Sequence, residues 1–424
     1  MAGGKSTLAK PSRLANAQRA AIFDRTAAKI AKYYFDPAFN GTDWPRLAKE
    51  NRERIIAVED ADEFELAMHD LVRKLRTSHT GFFHESVRRV PARLAIGATF
   101  RKVDQGDGKT AWVVQDVHEG GPADLAGLKP LDVLVGINGG IITPPDQPMF
   151  PMSTQADLIV QRNSHELALK VNVPTPRTRK QPYSEPRAVT LSKLDDNIGY
   201  LKVSILPGLL GLDVARQMDA AVVALADCER LILDLRGHLG GGLGVLRLMS
   251  HLTSAKLPIG YTVTRRMAER GYTKEQLRKL DHLPTERRNP LAILSMAFKF
   301  GGRDPSVVLV SEGLARQKWH GRVVILTNEH TVSAGEMVCA FARENNLAKI
   351  VGIETAGRLI PGSGFKVGHG YMVIMPKAAY ITWGGQKFEG RGIQPDVTVP
   401  WSPEAHAAGR DNQLECAMDL VHHL

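Results

Sequence analysis

TVSAGE occupies residues 331–336, between the apolar run VVILTN (323–328) and the helix-like MVCAFARENN (337–346). An apolar run, a polar turn and a helical period in that order read as strand, tight turn and helix, the unit from which an α/β layer is built. Ser333 stands where the helix begins. With Glu336 three residues on, it forms S-x-x-E, in which a hydroxyl and a carboxylate satisfy two orphan backbone donors at a helix start. The same place suits a nucleophile, because the helix start supplies positive potential and the Ala334 N–H can meet charge developing on a substrate carbonyl. From these six residues both the cap and the nucleophile readings stay open.

The chain has 424 residues, 43% of them hydrophobic and 24% charged, an ordinary globular composition with length for two or three domains. No apolar run approaches the roughly 20 residues that span a bilayer. The basic start, MAGGKSTLAKPSRLANAQRAA, lacks the apolar stretch of a secretory signal. The expectation is a soluble, cytoplasmic protein without a membrane partner. Cys228, Cys339 and Cys416 lie far apart, offer neither a metal-ligand spacing nor an even disulfide set, and read as small buried residues of a reducing compartment. The formal charge of +10 comes from Lys and Arg spread along the chain with no aromatic-interleaved basic motif, so no nucleic acid is expected. GGKST at 3–7 imitates the end of a phosphate-binding loop, but it has no strand before it and lacks the first glycine.

From Ser12 to Glu85 apolar residues fall at helical spacing, as in Ala20, Phe23, Ala27, Ile30 and Tyr34, and in Phe64, Met68, Leu71 and Leu75. The spacing predicts an N-terminal helical domain over 12–89, broken by the turn DPAFNGTDWP and containing RTSHTG (76–81) after its last periodic residue. Over 90–175 short alternating stretches such as AWVVQDV (111–117) and LALKVNV (167–173), separated by Gly and Pro turns, predict a β-rich domain. Within it GGPADLAGLKPLDVLVGINGG (120–140) resembles the hallmark segment of PDZ domains. That resemblance implies a carboxylate-binding loop and edge strand in AIGATF (95–100), with Ile96 and Gly97 contacting a peptide C-terminus by strand addition. A Pro- and basic-rich linker (174–187) leads to alternating strands and helices over 186–424, an α/β core. It is interrupted at about 255–320 by an insertion expected to be mostly helical, and closes with a hairpin-like segment (371–390) turning at Gly384 and Gly385.

A serine nucleophile needs a base, a group to orient that base, and donors for the oxyanion. DLRGHLGGGLG (234–244) runs from a strand into a glycine-rich turn, so Gly240 and Gly241 can present backbone N–H groups beside that of Ala334. Phosphate binding is the rival use of that turn, and its spacing matches neither usual nucleotide loop. Taken in order, the leader ending in SHTG, the PDZ-like unit, DLRGHLGGG, TVSAGE, IVGIETAGR and FEGRGIQPD resemble the serine peptidases that include carboxy-terminal processing proteases and the tricorn protease core. The resemblance runs from about Ile22 to Pro400, apart from the insertion. It implies a multidomain α+β protein with a ClpP- or crotonase-like core that hydrolyses peptides or unfolded proteins. It further implies that no cofactor or metal is needed, and it allows a homo-oligomer.

Two catalytic solutions occur in that family. Processing proteases use a lysine in a G-x-x-T-x-G-K-G pattern, and here GIETAGRLIPG (352–362) has Arg358 in its place. Arginine stays protonated and cannot serve as a general base near neutral pH. The tricorn-like solution implies His79 as base, with Ser78 and Glu389 to orient it; imidazole titrates in the range suited to the task. Arg358 then becomes a candidate to bind a substrate carboxylate through its fork geometry. Lys366 and Lys377 are remaining lysine candidates away from the family's position, and His238 and His84 are read as structural or substrate-lining. The rival from another class is a binding protein on the same scaffold, as in retinoid-binding repeats.

Overall fold

The computed structural model describes residues 10–86, 89–106, 108–151, 154–174, 185–194, 197–207, 211–283, 304, 306–315, 319, 321–360 and 362–424. GGKST, linker residues 175–184 and insertion residues 284–303 lie outside them.

In the leader, helix Ala61–Arg73 begins where the Asp60 carboxylate accepts from the N–H groups of Asp62 and Glu63, with two acidic side chains in the first turn to favour the positive helix end. Phe64, Met68, Leu71 and Val72 then fall on one buried face. Helices Asn16–Tyr33 and Trp44–Ile56 bury Ile22, Phe23, Ile30, Trp44 and Ile55 against it. The leader does not fill this core alone. Val367, Tyr371, Val373 and Met375, some 300 residues downstream, complete it. Strand Gly81–His84 pairs antiparallel with Tyr371–Pro376, which also pairs with Gly362–Gly368. Phe82 stacks on Tyr371 at 5.3 Å between ring centroids and meets Phe64 edge-on at 6.2 Å.

The β-rich unit is an antiparallel sheet in the order Ala98–Gly106, Lys109–Val117, Val133–Ile137, Gln155–Arg162, His165–Asn172. The 120–140 stretch supplies helix Pro122–Leu125, strand Val133–Ile137 and a tight turn at Asn138 and Gly139, both at positive φ. Alternating residues, including Phe100, Trp112, Val114, Leu134, Leu158 and Val160, fill its core.

The C-terminal half is built on a six-stranded sheet, Val189–Leu194, Ile198–Val203, Arg230–Asp234, Val323–Thr327, Lys349–Gly352, Val397–Thr398. Its neighbours are parallel except for the first pair. The near-continuous apolar strands follow from burial on both faces. Leu231, Leu233, Val323 and Ile325 face helices Leu212–Ala224, Val245–Ser250 and Ala334–Glu344, while Ile232, Val324, Leu326 and Val351 face helix Asn412–His422.

One expectation is corrected and one is extended. The described part of the 255–320 insertion carries strands as well as helix: Pro258–Thr264, Arg278–Leu280 and Val307–Val310 form a four-stranded sheet with Ala378–Thr382, beside the short helix Arg265–Arg270. The runs PIGYTVT and VVLV are rich in β-branched residues, which tertiary pairing turns into strands. The 371–390 segment is no simple hairpin either. The chain passes at Lys377 from one sheet to another, so Tyr371–Pro376 and Ala378–Thr382 pair with different partners. Gly385 does turn the chain after the second strand, donating to the Thr382 carbonyl.

The three cysteines form no disulfide. Among the described residues no helix is long and apolar enough to cross a membrane.

Because Phe82 is 1% exposed and joins the leader to the downstream hairpin, Phe82→Ala is expected to cost about 3–5 kcal/mol of unfolding free energy. Urea denaturation followed by far-UV circular dichroism measures it, and a loss below about 1 kcal/mol contradicts the shared core.

Candidate active site

Strands Arg230–Asp234 and Val323–Thr327 lie side by side and parallel, so the loops that leave their C-terminal ends are neighbours. Open α/β sheets bind ligands at that edge. Three bonds stitch the two loops together: Gly237 N–H to Asn328 Oδ1 (2.9 Å), Thr331 Oγ1 to the Leu235 carbonyl (2.8 Å) and Val332 N–H to the His238 carbonyl (3.0 Å). The stitching sets the glycine turn directly over Ser333. A methyl group on Gly240 would stand 2.7 Å from Ser333 Cβ and 3.2 Å from Oγ, so only glycine fits, and its φ of 79° suits glycine as well.

Ser333 is held at φ 53°, ψ −111°, a conformation that costs a non-glycine residue about 1–3 kcal/mol. Half of the capping pattern is made. Glu336 Oε2 accepts from the Ser333 N–H at 2.9 Å, but the Ser333 hydroxyl makes no cap bond to its own helix. The hydroxyl is thereby left for another use. The N–H groups of Gly240, Gly241 and Ala334 make no hydrogen bond among the described residues, whereas that of Gly242 donates to the Leu206 carbonyl. Gly240 lies against Ser333, while Gly241 is packed on Leu206.

A second group forms where the leader ends. Ser78 Oγ lies 2.9 Å from His79 Nδ1, and Glu389 Oε1 accepts from the Ser78 N–H at 2.5 Å. Glu389 thus acts through the Ser78 backbone. With Nδ1–H donating to Ser78 Oγ, His79 Nε2 carries the lone pair, the tautomer a base requires. His79 also has a positive φ, 55°, and Gly362 abuts it so closely that an added methyl would lie 2.8 Å from His79 Cβ. The imidazole is open to solvent on one side. The protein behind it desolvates the charged form and lowers its pKa, against the Glu389 charge that raises it and with the Arg358 charge that lowers it.

One segment joins the two groups. Glu336 Oε1 accepts from Thr355 Oγ1 (2.7 Å) and the Gly357 N–H (2.6 Å), and Oε2 also accepts from the Arg358 N–H (2.9 Å). The next two N–H groups, of Leu359 and Ile360, point to Glu389 Oε2 at 3.2 Å each. Burial raises the Glu336 pKa, opposed by these four donors. Ser333 and His79 are not hydrogen-bonded to each other among the described residues.

The other sequence candidates fall elsewhere. Ile96 is fully buried in the β-rich core, and the Gly97 N–H caps helix Ala92–Ile96 on the Arg93 carbonyl, so neither the Ile96 side chain nor the Gly97 N–H is offered to a ligand. Both are corrected as direct ligand contacts at those atoms, because packing and a helix end use them first. Lys366 reaches Glu85 at 3.7 Å, and Lys377 lies over the Phe365 and Tyr33 rings. His238 is buried with Nδ1 2.8 Å from the Val203 carbonyl, and burial pushes its pKa down to about 4. His84 is buried beside Ser86. Sequence reasoning took Glu336 only as a cap and missed Gly362. A signal for the first was its place in TVSAGE; nothing local marked the second.

The helix-start serine, its glycine loop and the histidine group are carried on a mixed α/β, multi-sheet scaffold. Residues 197–399 match the model of Peptidase family S41. Tricorn protease homolog 1 of Streptomyces coelicolor is 24% identical over 425 residues, covering 94% of this chain and 35% of the relative. A probable CtpA-like serine protease of Staphylococcus aureus is 24% identical over 386 residues, covering 85% of this chain and 66% of its own length. The chain thus spans about a third of the first relative and just under two thirds of the second. The fold is shared with the photosystem II D1 C-terminal processing protease, with a TM-score of 0.55 at 18% identity over 90% of this chain and 93% of that one. Mature CPAF shares it too, with a TM-score of 0.56 at 13% identity over 96% and 97%.

Gly240→Ala is expected to lower kcat toward a cleavable peptide about 100-fold, because the methyl displaces Ser333 and the donors beside it. Steady-state kinetics on a variant with unchanged circular dichroism checks this; wild-type kcat removes Gly240 from the site.

Proposed function

We propose that this protein is a serine peptidase that hydrolyses peptide bonds in peptides or unfolded proteins without a metal or cofactor. The observation that carries the reading is Ser333 itself, a strained helix-start serine whose hydroxyl makes no cap bond to its helix and which lies beside backbone N–H groups that have no acceptor among the described residues. Ser333 Oγ attacks the substrate carbonyl carbon while its proton passes to His79 Nε2. The carbonyl oxygen becomes the oxyanion, held by the N–H groups of Ala334 and Gly240, with Gly241 adjoining. The imidazolium returns the proton to the leaving amine as the C–N bond breaks. Water then attacks the acyl-enzyme, giving its proton to His79, and the acid product leaves with Ser333 regenerated. Ser78 holds the tautomer and Glu389 holds Ser78. Arg358, exposed and close enough to influence His79, is positioned to meet a substrate carboxylate.

The finer architecture belongs to the same proposal: a helical domain over 12–89, a PDZ-like domain over 90–175 and a crotonase-like core over 186–424. The core clusters of the three regions support it, although the first is completed by the 362–376 hairpin. Strand Ala98–Gly106 is the last in its sheet, as strand addition requires. Its Arg101 reaches Glu329 at 3.5 Å, in the loop that leads to Ser333, which supports a role in gating or recruiting substrate C-termini. The non-proteolytic reading draws on one observation, the missing hydrogen bond between Ser333 and His79. Catalytic hydrogen bonds often tighten only with substrate bound.

The test is Ser333→Ala together with His79→Ala on an unfolded protein substrate. Both are expected to abolish hydrolysis, and Ser333 of the wild type is expected to be labelled by a fluorophosphonate. Undiminished turnover in Ser333→Ala would sink the peptidase reading, and retained turnover in His79→Ala the choice of base. In the wild type a base with lowered pKa stays neutral further into acid. The acid limb of kcat/KM is therefore expected below the ordinary imidazole value of about 6.5.

A further inference from the structure

The Glu336 carboxylate has four acceptor positions and four donors on them, two to each oxygen. The residue is fully buried. A carboxylate whose task is to cap its helix needs donors from that helix's first turn. Here one donor, the Ser333 N–H, belongs to the turn, and three come from another segment, Thr355–Arg358. That segment continues without a break into the two N–H groups held by Glu389, which in turn holds the backbone of Ser78. The chain of contacts runs from Ser333 to the residue bonded to His79, with each link a carboxylate bridging two N–H groups.

We propose that Glu336 is a positioning residue that fixes the separation of Ser333 and His79, by holding one end of segment 355–360 while Glu389 holds the other. This rests on the peptidase reading above. Glu336 touches neither substrate nor the reacting atoms. It works through two backbones: it keeps the Ser333 turn in its strained conformation, and it anchors the segment against which the histidine loop is set. Both effects need all four acceptor positions. Glutamine cannot supply them, because its NH2 end meets two donors whichever way it is turned. Aspartate is one methylene too short to serve both backbones.

The prediction is a split in kinetic constants. Glu336→Gln is expected to lower kcat on a peptide substrate about 100-fold, the scale of a misplacement near 1 Å, with KM within about twofold of wild type. Labelling of Ser333 by a fluorophosphonate is expected to slow in parallel. Because both carboxylates act on one segment, Glu389→Gln combined with Glu336→Gln is expected to be little worse than the poorer single variant. Should Glu336→Gln fail to fold, Thr355→Val, which removes one of the four donors, decides: about tenfold lower kcat at unchanged KM supports the role. Thr355→Ser, which keeps the hydroxyl, is expected to behave as wild type. Wild-type kcat in Glu336→Gln, or in Thr355→Val if that variant has to decide, overturns the proposal, as does full additivity of the two carboxylate variants. A wild-type protein that neither labels nor cleaves overturns the peptidase reading instead, so the two failures are told apart.

Discussion

Between Gly357 and Ile360 four consecutive backbone N–H groups are shared between two carboxylates, the first pair taken by Glu336 and the second by Glu389. Of the remaining donors, Glu336 takes the nearby Thr355 hydroxyl and the distant Ser333 N–H, and Glu389 takes the distant Ser78 N–H. A loop of four residues thereby ties the C-terminal edge of the parallel sheet to the end of the helical leader. Hydrogen bonds to a charged acceptor are among the stronger ones, and stripping such an acceptor of its donors inside a protein is costly.

The same connection explains why the leader cannot be treated as an appendage. Its core takes Val367, Tyr371, Val373 and Met375 from the hairpin that starts at Gly362, two residues after Ile360. Aromatic stacking of Phe82 on Tyr371 and antiparallel pairing of Gly81–His84 with Tyr371–Pro376 fix the strand that follows His79. Gly362, with no side chain, lets His79 lie against the start of the hairpin. Packing on one side and carboxylates on the other hold the histidine loop.

Much of the fold was legible because it is local. The helical period of Phe64, Met68 and Leu71, the turn at Asn138 and Gly139, and the strand, turn and helix around Ser333 each follow from a few neighbouring residues. The strands within the insertion were not legible because they depend on pairing with Ala378–Thr382, about 115 residues away. The 371–390 segment was misread for a related reason, since nothing at Lys377 announces that the chain changes sheets. At the site, the grouping of Ser78, His79 and Glu389 was legible from motif order. That Glu389 would use the Ser78 backbone was not, because an N–H group has no sequence signature. Glu336 looked like a cap since three of its four donors lie about 20 residues downstream.

Electrostatics and geometry both support the chemistry we propose. The Arg358 backbone is bound to Glu336, while its charge disfavours protonation of His79. A neutral imidazole with Nδ1–H directed to Ser78 is the species that takes a hydroxyl proton. The central claim is that this imidazole serves Ser333. The most direct measurement is the His79 Nε2 to Ser333 Oγ distance in a crystal structure of the protein carrying a phosphonate on Ser333. The account predicts a separation of about 3 Å, with the phosphonyl oxygen turned to the N–H groups of Gly240 and Ala334. A structure with His79 out of reach and a lysine ammonium beside Ser333 contradicts it.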